Sequence, residues 1–318
     1  MATAVLVTGC SNAQPQDELM VTTDPVAATA ARSPEPAATP AGQVLDADPA
    51  TAAAIAGRTL AVATGKGVDL YDLDALTEAP RQVALPGPTE TLSTDGTAFL
   101  AALPAQNAVV RIEPGGALTE TPVDGAPVAA TPRPDGALVA LRGGKGVAVL
   151  GESGVATTLS GGLLSADQVF ASGDKAAVLD RLRNAVFRVD FGDGDIEEGL
   201  RAGEGATNGV ADRFGRVLVV DTRGGALLAF SMDPLLLRQR YPVPGSPYGI
   251  AYDAERDLAW VTLTATNEVV GFDVAGGEPE ERYRFPTVGQ PNSVAVDPAD
   301  GSVVVASASG GGVQVIKP

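Results

Sequence analysis

From about residue 45 to the C-terminus the chain alternates short aliphatic runs with polar turns rich in Gly, Asp, Asn and Pro. Runs of four to six β-branched and aliphatic residues at this spacing predict strands rather than helices. One element recurs seven times: an aliphatic strand, a tight polar turn and a second aliphatic strand. Examples are Leu60-Ala-Val-Ala-Thr64 followed by Val68-Asp-Leu-Tyr-Asp72, and Val217-Leu-Val-Val-Asp221 followed by Ala226-Leu-Leu-Ala-Phe230. The turns hold Gly65, Asn107, Gly144, Asn184, Gly225, Asn267 and Gly312, residue types that adopt positive φ at little cost. The second strands start at residues 68, 108, 147, 185, 226, 268 and 313, at intervals of 40, 39, 38, 41, 42 and 45 residues. A period near 40 is that of a propeller blade with four strands per repeat.

The pattern around each pair completes the blade. An apolar run precedes it, such as Gly249-Ile-Ala-Tyr252 or Ser293-Val-Ala-Val296, and is expected to line a central channel. A more polar stretch follows it, such as Glu278-Pro-Glu-Glu-Arg-Tyr-Arg284, and is expected to form a half-exposed outer strand. The last copy ends at Pro318 without that strand. Residues near Gln43-Val44-Leu45 are placed to supply it, which would close the ring and hide two sheet edges. The fold class predicted for 45–318 is all-β, a seven-bladed β-propeller of four-stranded blades.

The region before it differs. Residues 11–44 carry Pro15, Pro25, Pro34, Pro36 and Pro40 among Ala, Thr, Ser, Gln and acidic residues, with no apolar period. The composition predicts a disordered tether, with a reach of ~30 Å for a flexible segment of that length. Val7-Thr8-Gly9-Cys10 resembles a bacterial lipobox: an aliphatic residue, a small one, Gly, then the Cys whose thiol would carry the lipid. Residues 1–10 are accordingly the remnant of a lipoprotein signal peptide. The charged n-region and the full apolar run that such a peptide needs are missing from residues 1–9, which implies a translation start upstream of Met1. The implied partner of Cys10 is the membrane, and the implied location is the extracytoplasmic face of the cell membrane, lipid-anchored.

Composition narrows the chemistry. There is no His, which excludes Ser-His-Asp and Cys-His catalysis and His-ligated metals. The single Cys forms no internal disulfide or zinc cluster. The 22 basic against 39 acidic residues leave a net charge of −17, which opposes a nucleic-acid surface. Arg far outnumbers Lys, as in proteins of GC-rich actinobacterial genomes. Gly143-Gly144-Lys145-Gly146 is not a phosphate loop, because no Ser or Thr follows the Lys. Asp190-Phe-Gly-Asp-Gly-Asp195 lacks the spacing of an EF-hand and reads as a β-turn. Trp260 lies in an aliphatic strand and is assigned to the core.

Segments such as Gly289-Gln-Pro-Asn-Ser-Val-Ala-Val-Asp297 and Pro247-Tyr-Gly-Ile-Ala-Tyr-Asp253 resemble YVTN-type and NHL-type propeller repeats. With the lipobox, the whole chain resembles actinobacterial propeller lipoproteins. The resemblance implies a lipid-anchored binding or scaffolding module at the cell envelope, whose partner is an envelope protein or a small molecule. No catalytic set, metal ligand or cofactor is assigned. The families also include lactonase-like and gluconolactonase-like enzymes, which implies the alternative of a metal-dependent hydrolase with Ca²⁺ or Mg²⁺ held by oxygen ligands at the channel mouth. The candidate ligand-binding residues are Glu90, Asn208, Tyr248 and Asn292, each at or just before an inner strand. Each has a second reading: Glu90 as a solvated rim carboxylate, Asn208 and Asn292 as loop-forming amides, and Tyr248 as packing across a blade junction.

Overall fold

A computed structural model describes residues 23–318. It is all-β, with one 3₁₀ turn at Pro104–Gln106. No helix among the described residues is long and apolar enough to cross a membrane. Cys10 and the lipobox lie outside the described residues.

The strands form antiparallel meanders in chain order. Within each, the first strand lies innermost and the last is the most exposed. Strand Ala50–Ala56 starts the first sheet, followed by Thr59–Thr64, Gly67–Asp72 and Arg81–Val83. Burial along the meander follows the sequence pattern. Leu258–Leu263 is buried at every position, whereas Glu280–Pro286 and Leu118–Pro122 are mostly exposed. Neighbouring sheets pack face to face through aliphatic side chains. Val219, Ala226 and Leu228 meet Ala177, Leu179 and Val186 at one junction, and Ala259, Val261 and Val270 meet Leu218 and Val220 at the next.

The expected seven-bladed propeller of four-stranded blades is corrected. Among the described residues the sheets number six, of which five have four strands and one has eight. The eight-stranded sheet arises because the outer strand Gly154–Gly161 pairs in parallel with the outer strand Asp195–Arg201, Ser160 opposite Asp195 and Gly161 opposite Ile196. Sequence period counts meanders and is blind to such edge pairing. Gly161 permits it: a Cβ there would lie 2.4 Å from the Ile196 carbonyl oxygen. The sheet curls until its two end strands, Pro127–Arg133 and Gln168–Ser172, face one another, with the Thr131 hydroxyl donating to the Val169 carbonyl at 2.5 Å.

The expected ring closure is observed. Gln43–Leu45 pairs antiparallel with Val313–Ile316, Val44 opposite Gln314. The disordered tether is corrected over its described part. Residues 24–42 form a strap docked on the rim. The Ala31 N–H donates to Thr264 Oγ1 (3.1 Å), and the Ser33 hydroxyl donates to the Thr264 carbonyl (2.6 Å). The Gln290 amide donates to the Ala31 carbonyl (2.9 Å) and accepts from the Ser33 N–H (3.1 Å). Asn267 and Arg223 donate to the Pro34 and Val26 carbonyls, and Ala28 is buried. Composition misled here because the strap docks through its backbone and small side chains, which need no apolar period.

Candidate functional site

The inner strands surround a cavity of about 690 Å³ along the channel. Its wall consists largely of methyl and hydroxyl groups, among them Ala53, Ser93, Ala130, Thr131, Val210 and Ala251. Inner strands diverge around a channel and cannot form a continuous ladder, so side chains bridge them. Thr51 donates to the Thr89 carbonyl (2.7 Å), Thr91 to that of Val128 (2.8 Å) and Asn208 Nδ2 to that of Tyr248 (3.0 Å). Partners lie 37–40 residues apart, one repeat each.

Several inner strands begin with a register shift: between Ala50 and Ala52, Pro127 and Ala129, Ala206 and Asn208, Pro247 and Ile250, and Pro291 and Ser293. Such bulges re-aim side chains at rims. Tyr248 and Asn292 fall inside two of these shifts, and Asn208 is the first paired residue after another. This is how sequence neighbours of ordinary strands come to face the mouth.

The structure places Glu90, Asn208, Tyr248 and Asn292 in the wall of the same cavity. It does not bring all four into contact. Glu90 receives both terminal nitrogens of Arg142, each at 2.9 Å. The Arg142 Nε donates to Asp167 Oδ1 (2.9 Å), and Asp167 Oδ2 accepts the backbone N–H of Arg181 (3.0 Å). The Arg142 guanidinium, by its hydrogen bonds to Glu90, holds that carboxyl below its ordinary value, against partial desolvation.

A second group surrounds Asn208. Its Oδ1 accepts from Arg181 Nη2 (2.8 Å) and Gln168 Nε2 (3.3 Å), while Gln168 Oε1 accepts the Gly209 N–H (2.8 Å). Arg181 Nε donates to the Thr207 carbonyl. Asn292 stands apart, its Oδ1 accepting from Gln290 (2.9 Å), the same amide that holds the strap. Sequence reading missed Arg142, Asp167, Gln168, Arg181 and Gln290. A signal for two of them was present: Arg142 and Arg181 occupy the same repeat position, directly after the first strands of their pairs, Gly136–Leu141 and Lys175–Asp180.

Among the described residues no group of three or more Asp, Glu, Cys or His is arranged to hold a metal ion. The carboxylates of the mouth are instead engaged by Arg142, and a cation would have to compete with that guanidinium for both.

This geometry defines a class, a β-propeller with a polar mouth over a channel of small side chains, and comparison with solved structures agrees on the fold. A hydrazine synthase structure from Kuenenia stuttgartiensis is 16% identical with a TM-score of 0.72, covering 87% of this chain and 97% of that one. Virginiamycin B lyase from Staphylococcus aureus is 15% identical with a TM-score of 0.69, covering 86% and 97%. A chain of the mitotic checkpoint complex is 12% identical with a TM-score of 0.73, covering 92% and 98%. At these identities the likeness establishes the propeller scaffold alone. No family model and no curated protein matches the chain.

Proposed function

We propose that the protein is a ligand-binding or scaffolding propeller presented on the extracytoplasmic face of the cell membrane, tethered through a lipid on Cys10, with the Glu90–Asn208–Tyr248–Asn292 mouth as its contact face. The observation that carries the binding role is the use of the mouth carboxylates: Glu90 and Asp167 are both bound by Arg142. A hydrolase of lactonase type needs such oxygens free for a cation or a water; here they hold a guanidinium rigid. The lyase neighbour described as catalytically inactive carries alanine in place of a histidine, and this chain has no His with which to share that chemistry. The YVTN and NHL resemblance and the lipobox support the envelope location, and the net charge of −17 supports partners other than nucleic acid.

The test is thermal unfolding of metal-stripped protein with and without Ca²⁺, Mg²⁺, Mn²⁺ and Zn²⁺. A cation at a hundred times its Kd would stabilise by ~2.7 kcal/mol, a shift of roughly 5–10 °C for a chain of this size. The binding reading expects no shift of that size with any ion. One that does appear, and that disappears in Glu90→Gln, would put the hydrolase first. The anchor is tested separately by mass spectrometry of the membrane fraction, which should show the lipid on Cys10.

A further inference from the structure

We infer that the mouth seats the carboxylate of a small amphipathic monoanion, with Arg181 and Tyr248 as its donors and the uncharged body of the ligand in the channel. This rests on the reading of the mouth as a ligand site and adds the class of ligand.

The two guanidiniums at the mouth are in different electrostatic states. Arg142 is paired with two carboxylates, Glu90 on both terminal nitrogens and Asp167 on Nε. Arg181 forms no ion pair among the described residues: its Nε and Nη2 go to neutral acceptors, the Thr207 carbonyl and the Asn208 amide oxygen. Its Nη1 makes no hydrogen bond to any described residue. This half-buried guanidinium keeps an unspent donor on Nη1 and acts on the Glu90 carboxylate only through space, without a hydrogen bond, so a ligand carboxylate can take the charge-assisted hydrogen bond that Glu90 does not make.

The second donor lies two meanders further on, beyond the one that carries Asn208. The Tyr248 backbone carbonyl accepts from Asn208 Nδ2, while its phenol makes no hydrogen bond to a described residue. Asn208 is thus clamped between the two: Oδ1 to Arg181, Nδ2 to Tyr248, with Gln168 fixing Oδ1 from the third side. Placement of the Arg181 guanidinium by Asn208 and the Thr207 carbonyl before the ligand arrives lowers the entropic cost of binding. Glu90 and Asp167 on the same rim set the charge limit. They repel a second negative charge, so the site favours a monoanion over a dianion. The same wall carries Ala53, Ala130, Val210 and Ala251, which offer contact to an apolar body, and its Ser93 and Thr131 hydroxyls are neutral.

The test titrates hexanoate, hexanol, hexylammonium and adipate against the full chain by calorimetry at matched ionic strength. Hexanoate is expected to bind more tightly than the other three. Arg181→Gln should weaken hexanoate at least tenfold while leaving hexanol within twofold, and Tyr248→Phe should weaken hexanoate severalfold, with circular dichroism of both variants unchanged. Hexanoate affinity that is the same in Arg181→Gln and wild type overturns the proposal, as does preference for adipate or hexylammonium, or absence of hexanoate binding to wild type. If hexanol binds wild type, is excluded by Asn292→Trp, and hexanoate does not bind, the ligand class fails and the mouth remains a ligand site. If Asn292→Trp changes the binding of no probe that binds wild type, the mouth itself is not the site and both readings fall.

Discussion

Asp221 is completely buried, and its carboxylate accepts three backbone N–H groups: Glu204 on Oδ2 (2.9 Å), Gly205 (2.8 Å) and Gly224 (2.9 Å) on Oδ1. It ties the entry of one inner strand to the hairpin beside it. Gly203 and Gly224 let the carboxylate approach, since a Cβ at either would lie about 2 Å from Oδ2. Asp180 does the same for Leu164, Ser165 and Arg183. Asp221→Ala would leave those donors buried without an acceptor, and we expect a loss of about 2–4 kcal/mol in urea unfolding; a loss below 1 kcal/mol would show that water replaces the carboxylate. At Glu90 the sign of the pH effect follows from its depressed pKa. The stabilisation is complete above the ordinary Glu range and is lost as pH falls through the lowered value. Wild type should therefore melt higher than Glu90→Gln above the ordinary Glu range, and the two curves should converge as pH falls through the lowered value. A constant difference across that window would mean that the Arg142 pair contributes nothing. The run Val217-Leu-Val-Val-Asp221 was legible as a strand in the sequence, but the acceptor role of its last residue was not, because two of the donors come from a preceding loop that only folding brings near.

At the scale of the element, Gly271 shows why a strand interior tolerates glycine. It pairs with Trp260 on one side and Tyr283 on the other. The two rings stack across it, with centroids 5.5 Å apart and an interplanar angle of 24°. A Cβ at Gly271 would sit 2.9 Å from two carbons of the indole. Gly271→Ala should cost about 1–3 kcal/mol by overpacking and lower Tm by roughly 2–8 °C; an unchanged Tm would mean that the indole moves aside freely. The assignment of Trp260 to the core holds, as its ring is fully buried. The strands themselves were legible because Val, Leu and Ala runs of the right length admit little else. The bulges that turn Tyr248 and Asn292 toward the mouth were not legible, since a register shift depends on the partner strand.

At the scale of the whole molecule, closure and strap are separable. Removing residues 1–42 while keeping Gln43–Leu45 should retain the ring and lose the strap's hydrogen bonds to Thr264, Asn267 and Gln290, lowering Tm by roughly 4–10 °C. Removing residues 1–45 should also expose the edge of Val313–Ile316 and add aggregation on heating. Equal behaviour of the two truncations, measured by calorimetry and light scattering, would show that the closing strand contributes nothing beyond the strap. Because Gln290 binds both the strap and Asn292, the first truncation should also loosen the Asn292 side of the mouth while leaving Arg181 and Asn208 in place.

The linear order of residues determined what depends on neighbours along the chain: strands from β-branched runs, turns from residues that take positive φ, a period near 40 from repetition, and the closing strand from the one the last repeat lacks. It also determined which chemistry is unavailable, since a chain without His has no imidazole in any fold. Tertiary structure alone decided what depends on partners distant in sequence. Two meanders fused into one eight-stranded sheet because their outer edges met at Gly161. A proline-rich segment docked because Thr264 and Gln290, more than 230 residues away, accept and donate to its backbone. Arg142 and Arg181 share a repeat position, yet one is hydrogen-bonded to Glu90, 52 residues distant, and the other meets that carboxylate only through space. Charge at a site is a property of the group and of what surrounds it, and only the fold supplies the surroundings.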